Sequence, residues 1–244
     1  EDPDSSSVAQ RHYAGPTRPT EEFYDCDADP DNTRNLISGK LSDEAGKSLQ
    51  RLRLGLVEHR NAVGDLGALP ESEMRRWVKN EGGPMRDIVM GKTDHSPDLQ
   101  RAWAAADKVG MADSKELLEL LKKGNVNERY WAAVSLRNGF FDEKRIQQSA
   151  FEWIQDVAPS VRIEIAGWLA FFPEKREAAL DRLVKDLEHP DWAVALQACR
   201  AIELLGPKAR SVLGTMKKLY AKTRHEPGDN NFFIAFSSGA FLDE

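Results

Sequence analysis

The sequence predicts a mainly α fold: an α-solenoid of helical hairpins behind an N-terminal strand and helix segment. Three observations predict it. Stretches of the C-terminal half align at a constant spacing of 33 residues. Within each stretch, apolar residues recur at helical intervals. Turn-forming residues separate the stretches, at Gly124-Asn125, Ala158-Pro159-Ser160 and His189-Pro190-Asp191.

The repeat is read first from its second helices. Glu128 to Leu136, Val161 to Leu169 and Val194 to Ile202 superpose in register. Leu136, Leu169 and Ile202 then occupy one position. The preceding helices follow the same shift: Leu117, Ala150 and Leu183 correspond, as do Leu121, Ile154 and Leu187. One helical hairpin cannot bury its apolar face alone, so such units are expected to stack. Gly206-Pro207 opens a fourth first helix, from Lys208 to about Tyr220, and Met216 and Tyr220 keep the register. Phe232, Phe233, Ile234 and Phe236 then offer a last helix or packed tail. Upstream, Ser96-Pro97-Asp98 is expected to start a helix running to about Lys108. Asp113 with Glu116 reads as a capping box.

These units resemble HEAT repeats, which are helical hairpins whose second helix opens with Val-Arg and continues with paired small residues. Val161-Arg162 matches the opening. Glu128-Arg129 matches its arginine and Val194-Ala195 its valine. Ala132-Ala133, Ile165-Ala166 and Ala198-Cys199 stand at the small pair. Arg129 and Arg162 are expected to make hydrogen bonds between units. With Trp131 and Trp192 they are also the candidates for an interaction surface.

The N-terminal half is less regular. Residues 1–20 are polar and contain Pro3, Pro16 and Pro19, which suggests an extended lead-in. Glu21 to Cys26 reads as a short strand. Asp27 to Asn32 is a turn by composition. A helix follows from Ser42 to about Arg60, with Ala45, Leu49, Leu52 and Leu56 as its apolar stripe. Pro70 to Trp77 is a second, shorter helix, broken by Glu81-Gly82-Gly83-Pro84.

The series Arg18-Pro19-Thr20-Glu21-Glu22-Phe23-Tyr24-Asp25, then Asp29-Pro30, then Asn35-Leu36, resembles the C-terminal signature of sulfatases. Asp65-Leu66-Gly67-Ala68-Leu69-Pro70-Glu71 resembles the end of the N-sulfoglucosamine (heparan) sulfohydrolase-like members. The likeness implies three segments: a lead-in over 1–20, a sulfatase C-terminal-like strand and helices over 21–92, and HEAT-like repeats over 93–244. It implies a parent enzyme that hydrolyses sulfate esters or sulfamates with calcium and a formylglycine. The implied partner is that catalytic domain, or another protein. The implied location is periplasmic or extracellular, although Glu1 to Ser7 have neither the basic nor the apolar region of a signal peptide.

This chain departs from the family where the chemistry resides. Formylglycine forms from Cys or Ser in a Cys/Ser-x-Pro-x-Arg motif, and no such motif is present. Cys26 precedes Asp27-Ala28-Asp29, and Cys199 precedes Arg200-Ala201-Ile202. No catalytic, cofactor-binding or metal-binding residue is therefore carried over, and this chain alone is expected to be non-catalytic. Asp25, Asp27, Asp29 and Asp31 alternate like a calcium loop. Pro30 and Leu36, however, stand where an EF-hand needs Gly and Glu. A net charge of −6 argues against nucleic acid as a partner. No apolar run reaches the length of a membrane span. The alternative reading is a free-standing HEAT-repeat scaffold for protein interaction.

Overall fold

The computed structural model describes residues 19–91, 93–139, 142–225 and 228–243. It is mainly helical. The chain divides between Asp65 and Leu66 into two compact units.

In the first unit the expected strand is not formed, and no strand occurs among the described residues. Residues 21–25 form no regular element, and a side chain holds them instead of a partner strand. Asn35 Oδ1 accepts from Phe23 N at 3.1 Å, and Asn35 Nδ2 donates to Glu21 O at 3.2 Å. Leu36 N adds one bond to Phe23 O. An amide carries both a donor and an acceptor, so one Asn can satisfy an extended backbone without a ladder. The lead-in over 1–18 lies outside the described residues.

Helix α1 (Asp43–Val63) begins where Ser42 Oγ accepts from Ala45 N, and it ends at Gly64 in the left-handed region, φ 61°. Its expected apolar stripe is only partly covered. Leu49 is buried, whereas Leu52 and Leu56 are 49% and 47% exposed.

The second unit opens with α2 (Glu71–Glu81), α3 (Met85–Val89) and α4 (Ser96–Ala106). Leu69, Trp77, Ile88, Leu99 and Ala102 make a small core of their own. His95, rather than Ser96, is the N-cap of α4. Asp94 accepts from Ser96 N, and His95 stacks on Trp77 with ring centroids 4.1 Å apart.

Four hairpin-like layers follow. First helices are α5 (Ser114–Lys123), α7 (Lys144–Ala150, continued by a 3-10 turn over Phe151–Gln155), α9 (Pro173–Leu187) and α11 (Leu213–Thr223). Second helices are α6 (Val126–Asn138), α8 (Pro159–Leu169), α10 (Trp192–Glu203) and α12 (Asp229–Asp243). The second helices pack in series: α6 on α8, α8 on α10, and α10 on α12. Leu136, Leu169 and Ile202 are all fully buried, as are Leu117, Ala150 and Leu183. Burying each large aliphatic side chain contributes about 1.5–3 kcal/mol.

Local departures have local causes. Asp113 caps α5 by accepting from Glu116 N at 2.9 Å, but the Glu116 carboxylate turns to Lys108, leaving the box half made. The complete box belongs to Asn125 and Glu128, at the start of α6. The fourth first helix starts later than expected. Gly206–Val212 is a 3-10 turn kinked at Ala209, and the α-helix begins at Leu213.

Candidate interaction surface

The four residues singled out from the sequence fall into two pairs. Arg129 and Arg162 occupy the same place in α6 and α8, and both are engaged within the fold. Arg129 grips Asp156 with two bonds, at 2.8 and 3.0 Å, and donates to Gly124 O of the preceding turn. Arg162 donates to both oxygens of Asp186 and to the Asp156 and Val157 carbonyls of its own preceding turn. Asp156 and Asp186 are nearly inaccessible, with side chains 2% and 1% exposed. A planar guanidinium suits this task because its donors form a rigid fork. The third unit has Ala195 at this place, and no such staple is made there.

Trp131 and Trp192 are half-buried and tie the repeats to the α2–α4 segment. Trp131 Nε1 donates to Ala68 O at 2.8 Å. The Arg75 guanidinium lies 5.2 Å from the Trp192 ring centroid, and Arg75 Nε donates to Asp191 at 2.7 Å. Helix α2 thus lies against the second-helix row, touching α8 and α10.

Between α2 and that row is a cleft of about 270 Å³. Its polar lining was not anticipated. Arg137 Nη1 donates to Glu164 Oε2 at 3.0 Å, and Gln197 Nε2 donates to Glu164 Oε1 at 2.9 Å. Trp131, Glu164 and Gln197 stand 33 residues apart, so one repeat position forms a row across three helices. That period was the signal available in the sequence. Tyr130 also lines the cleft. Burial raises its phenol well above the ordinary value, the Glu164 charge raises it further, and Arg137 opposes both.

Both cysteines are free, Cys199 buried and Cys26 exposed. Burial pushes the Cys199 thiol up to about 11, with Ser237 opposing and Glu203 adding. Cys26 is exposed, and its Sγ lies 3.6 Å from Asn32 Oδ1. In the acidic turn two of the four carboxylates are engaged by local hydrogen bonds. Asp25 Oδ1 accepts from Asp27 N and Ala28 N. Asp29 accepts from Thr33 Oγ1 and Arg34 N, and the Arg34 N–H chiefly lowers its pKa. Among the described residues no three His, Cys, Asp or Glu side chains converge on a metal position. Nor is any helix among them long and apolar enough to cross a membrane. No family model, curated protein or solved structure matches the chain.

Proposed function

We propose that this chain is a non-catalytic C-terminal region of a sulfatase-like hydrolase, with residues 114–243 forming a HEAT-like α-solenoid that packs on the catalytic domain or recruits a protein. The parent reaction is hydrolysis of sulfate esters or sulfamates, with sulfated glycans the first substrates to test. A parent of this kind acts in the periplasm or outside the cell.

The observation that carries the reading is the closure of the signature on itself. Its Glu-Glu-Phe-Tyr-Asp stretch and its Asn-Leu pair are joined through Asn35 to Glu21 and Phe23. Arg53 of α1 then clamps Glu21 with Nε at 2.7 Å from Oε1. The solenoid is supported by the in-line packing of second helices and by the Arg129 and Arg162 staples repeated at one period.

The test is the reading frame upstream of Glu1. A Cys/Ser-x-Pro-x-Arg motif within a larger α/β domain is expected there. A complete upstream gene without one overturns the sulfatase reading. The second reading, a free-standing repeat scaffold, is favoured by the separate compactness of residues 66–244.

A further inference from the structure

We propose that the last layer, α11 with α12, is a peripheral docking surface for an anionic lipid bilayer. Charge is the first observation. The chain carries a net charge of −6, yet the stretch from Leu204 to His225 holds six Lys and Arg and no Asp or Glu. All six are exposed: Lys208, Arg210, Lys217, Lys218, Lys222 and Arg224. Cations of the earlier first helices are answered by carboxylates, Lys123 by Glu119, Lys144 by Glu174 and Arg182 by Asp186. Among the described residues none of these six meets a carboxylate. Lys208 and Arg224 lie instead over aromatic rings, 5.3 Å from Phe171 and 5.2 Å from Tyr220. Met216 and Thr223 are the buried side of α11, so Lys217, Lys218 and Lys222 stand on its outward side.

The second observation is apolar. Ile234, Ser237, Ser238 and Phe241 bury one side of α12, while Phe232, Phe233 and Phe236 on the other are 58%, 50% and 68% exposed. Helices α11 and α12 pack on each other. Arg224, Phe232 and Phe236 line one groove between them, so the bare rings and the basic helix share one end of the array. Asp243 is the single carboxylate on that lining.

The two observations together select the partner. Charge alone would suit a nucleic acid or a sulfated glycan, but either leaves three phenyl rings in water. A protein would need a hollow to seat a side chain. At Gly239 that space is taken by the chain's own Tyr220 ring, which a Cβ there would approach within 3.2 Å, and Arg224 lies over the same ring. A bilayer surface needs no hollow. Its anionic headgroups meet the lysines, and the boundary between headgroups and acyl chains takes the rings.

The test is co-sedimentation of the 244-residue chain with vesicles, one set of equal parts phosphatidylglycerol and phosphatidylcholine, the other of phosphatidylcholine alone. Binding to the first set is expected at about 0.1 M salt and should weaken at least about tenfold at about 0.5 M. The second set should bind at least about tenfold more weakly than the first. Lys217→Ala with Lys218→Ala should weaken binding at least about tenfold, and Phe232→Ser with Phe236→Ser about tenfold. The helical circular dichroism should be unchanged in both, since all four side chains are exposed. Lys122→Ala with Lys123→Ala makes the same change of charge on α5 and should leave binding as it is. A chain that ignores anionic vesicles overturns the proposal. So does binding that falls equally in the α5 variant, which would mean net charge alone. Binding indifferent to the phenylalanine pair and matched by a heparin oligosaccharide also overturns it, in favour of a surface that reads charge without lipid.

Discussion

Glu164 Oε1 accepts a 2.9 Å hydrogen bond from Gln197 Nε2, and the two residues hold the same position one repeat apart. The repeat thus bonds to itself. Arg137 takes the other carboxylate oxygen, so three consecutive second helices share one charge. Removing that carboxylate should be costly, because the Arg137 side chain is only 17% exposed. Glu164→Ala is expected to destabilise by about 2–4 kcal/mol. Gln197→Ala leaves the ion pair intact and should cost no more than about 1.5 kcal/mol. Urea unfolding of both variants separates the two, and equal losses would show that the ion pair contributes nothing beyond the amide.

The two arginine staples should respond unequally. Asp156 receives a single guanidinium, from Arg129, together with Ala158 N. Asp186 receives two, from Arg162 and Arg182. Arg129→Ala therefore strands a buried carboxylate and should cost about 3–5 kcal/mol. Arg162→Ala leaves Asp186 its second arginine and should cost at least about 1 kcal/mol less. Denaturation midpoints in the reverse order would contradict this account of the staples.

The middle of the stack should be the most sensitive to lost volume. Leu169 is fully buried in α8, with α6 on one side and α10 on the other. Leu169→Ala should cost about 2–5 kcal/mol. Lys185→Ala, on an exposed face of α9, should stay within about 0.5 kcal/mol. If chemical denaturation finds the two equal, the 33-residue register is wrong.

Alkali should weaken the fold. The Cys199 thiol moves from an ordinary 9.0 to about 11 on folding, and the Tyr130 phenol is raised as well. Both groups keep their protons in the folded state where the unfolded chain has lost them. Their contribution is complete below pH 9 and is lost as pH rises. Each group removes about 1.4 kcal/mol per pH unit within its own window. For Cys199 that window runs from about pH 9 to 11. Stability measured from pH 8 to 11 should fall, with a shallower slope in Cys199→Ala between pH 9 and 11. A parallel slope would remove Cys199 from the effect.

The chain alone should not hydrolyse sulfate esters. Co-expression with a formylglycine-generating enzyme, followed by incubation with an aryl sulfate and calcium, is expected to give no turnover above buffer. Sustained turnover that disappears when Cys26 is replaced would refute the non-catalytic reading.

The sequence by itself determined the helical register. Leu136, Leu169 and Ile202 declare their burial through period alone, because a helix puts every third or fourth residue on one face whatever it packs against. It also marked Arg129 and Arg162 as repeat residues, since equivalent positions face equivalent surroundings. Only the tertiary structure decided what those residues touch. Asp156 and Asp186 lie at different offsets from their arginines, so no single spacing pairs them. The row from Arg137 through Glu164 to Gln197 arises because α6, α8 and α10 are laid side by side. The same limit explains the absent strand at Glu21–Cys26. Strand propensity is local, but a strand exists only when a partner supplies its hydrogen bonds, and here Asn35 supplies them from twelve residues beyond Phe23.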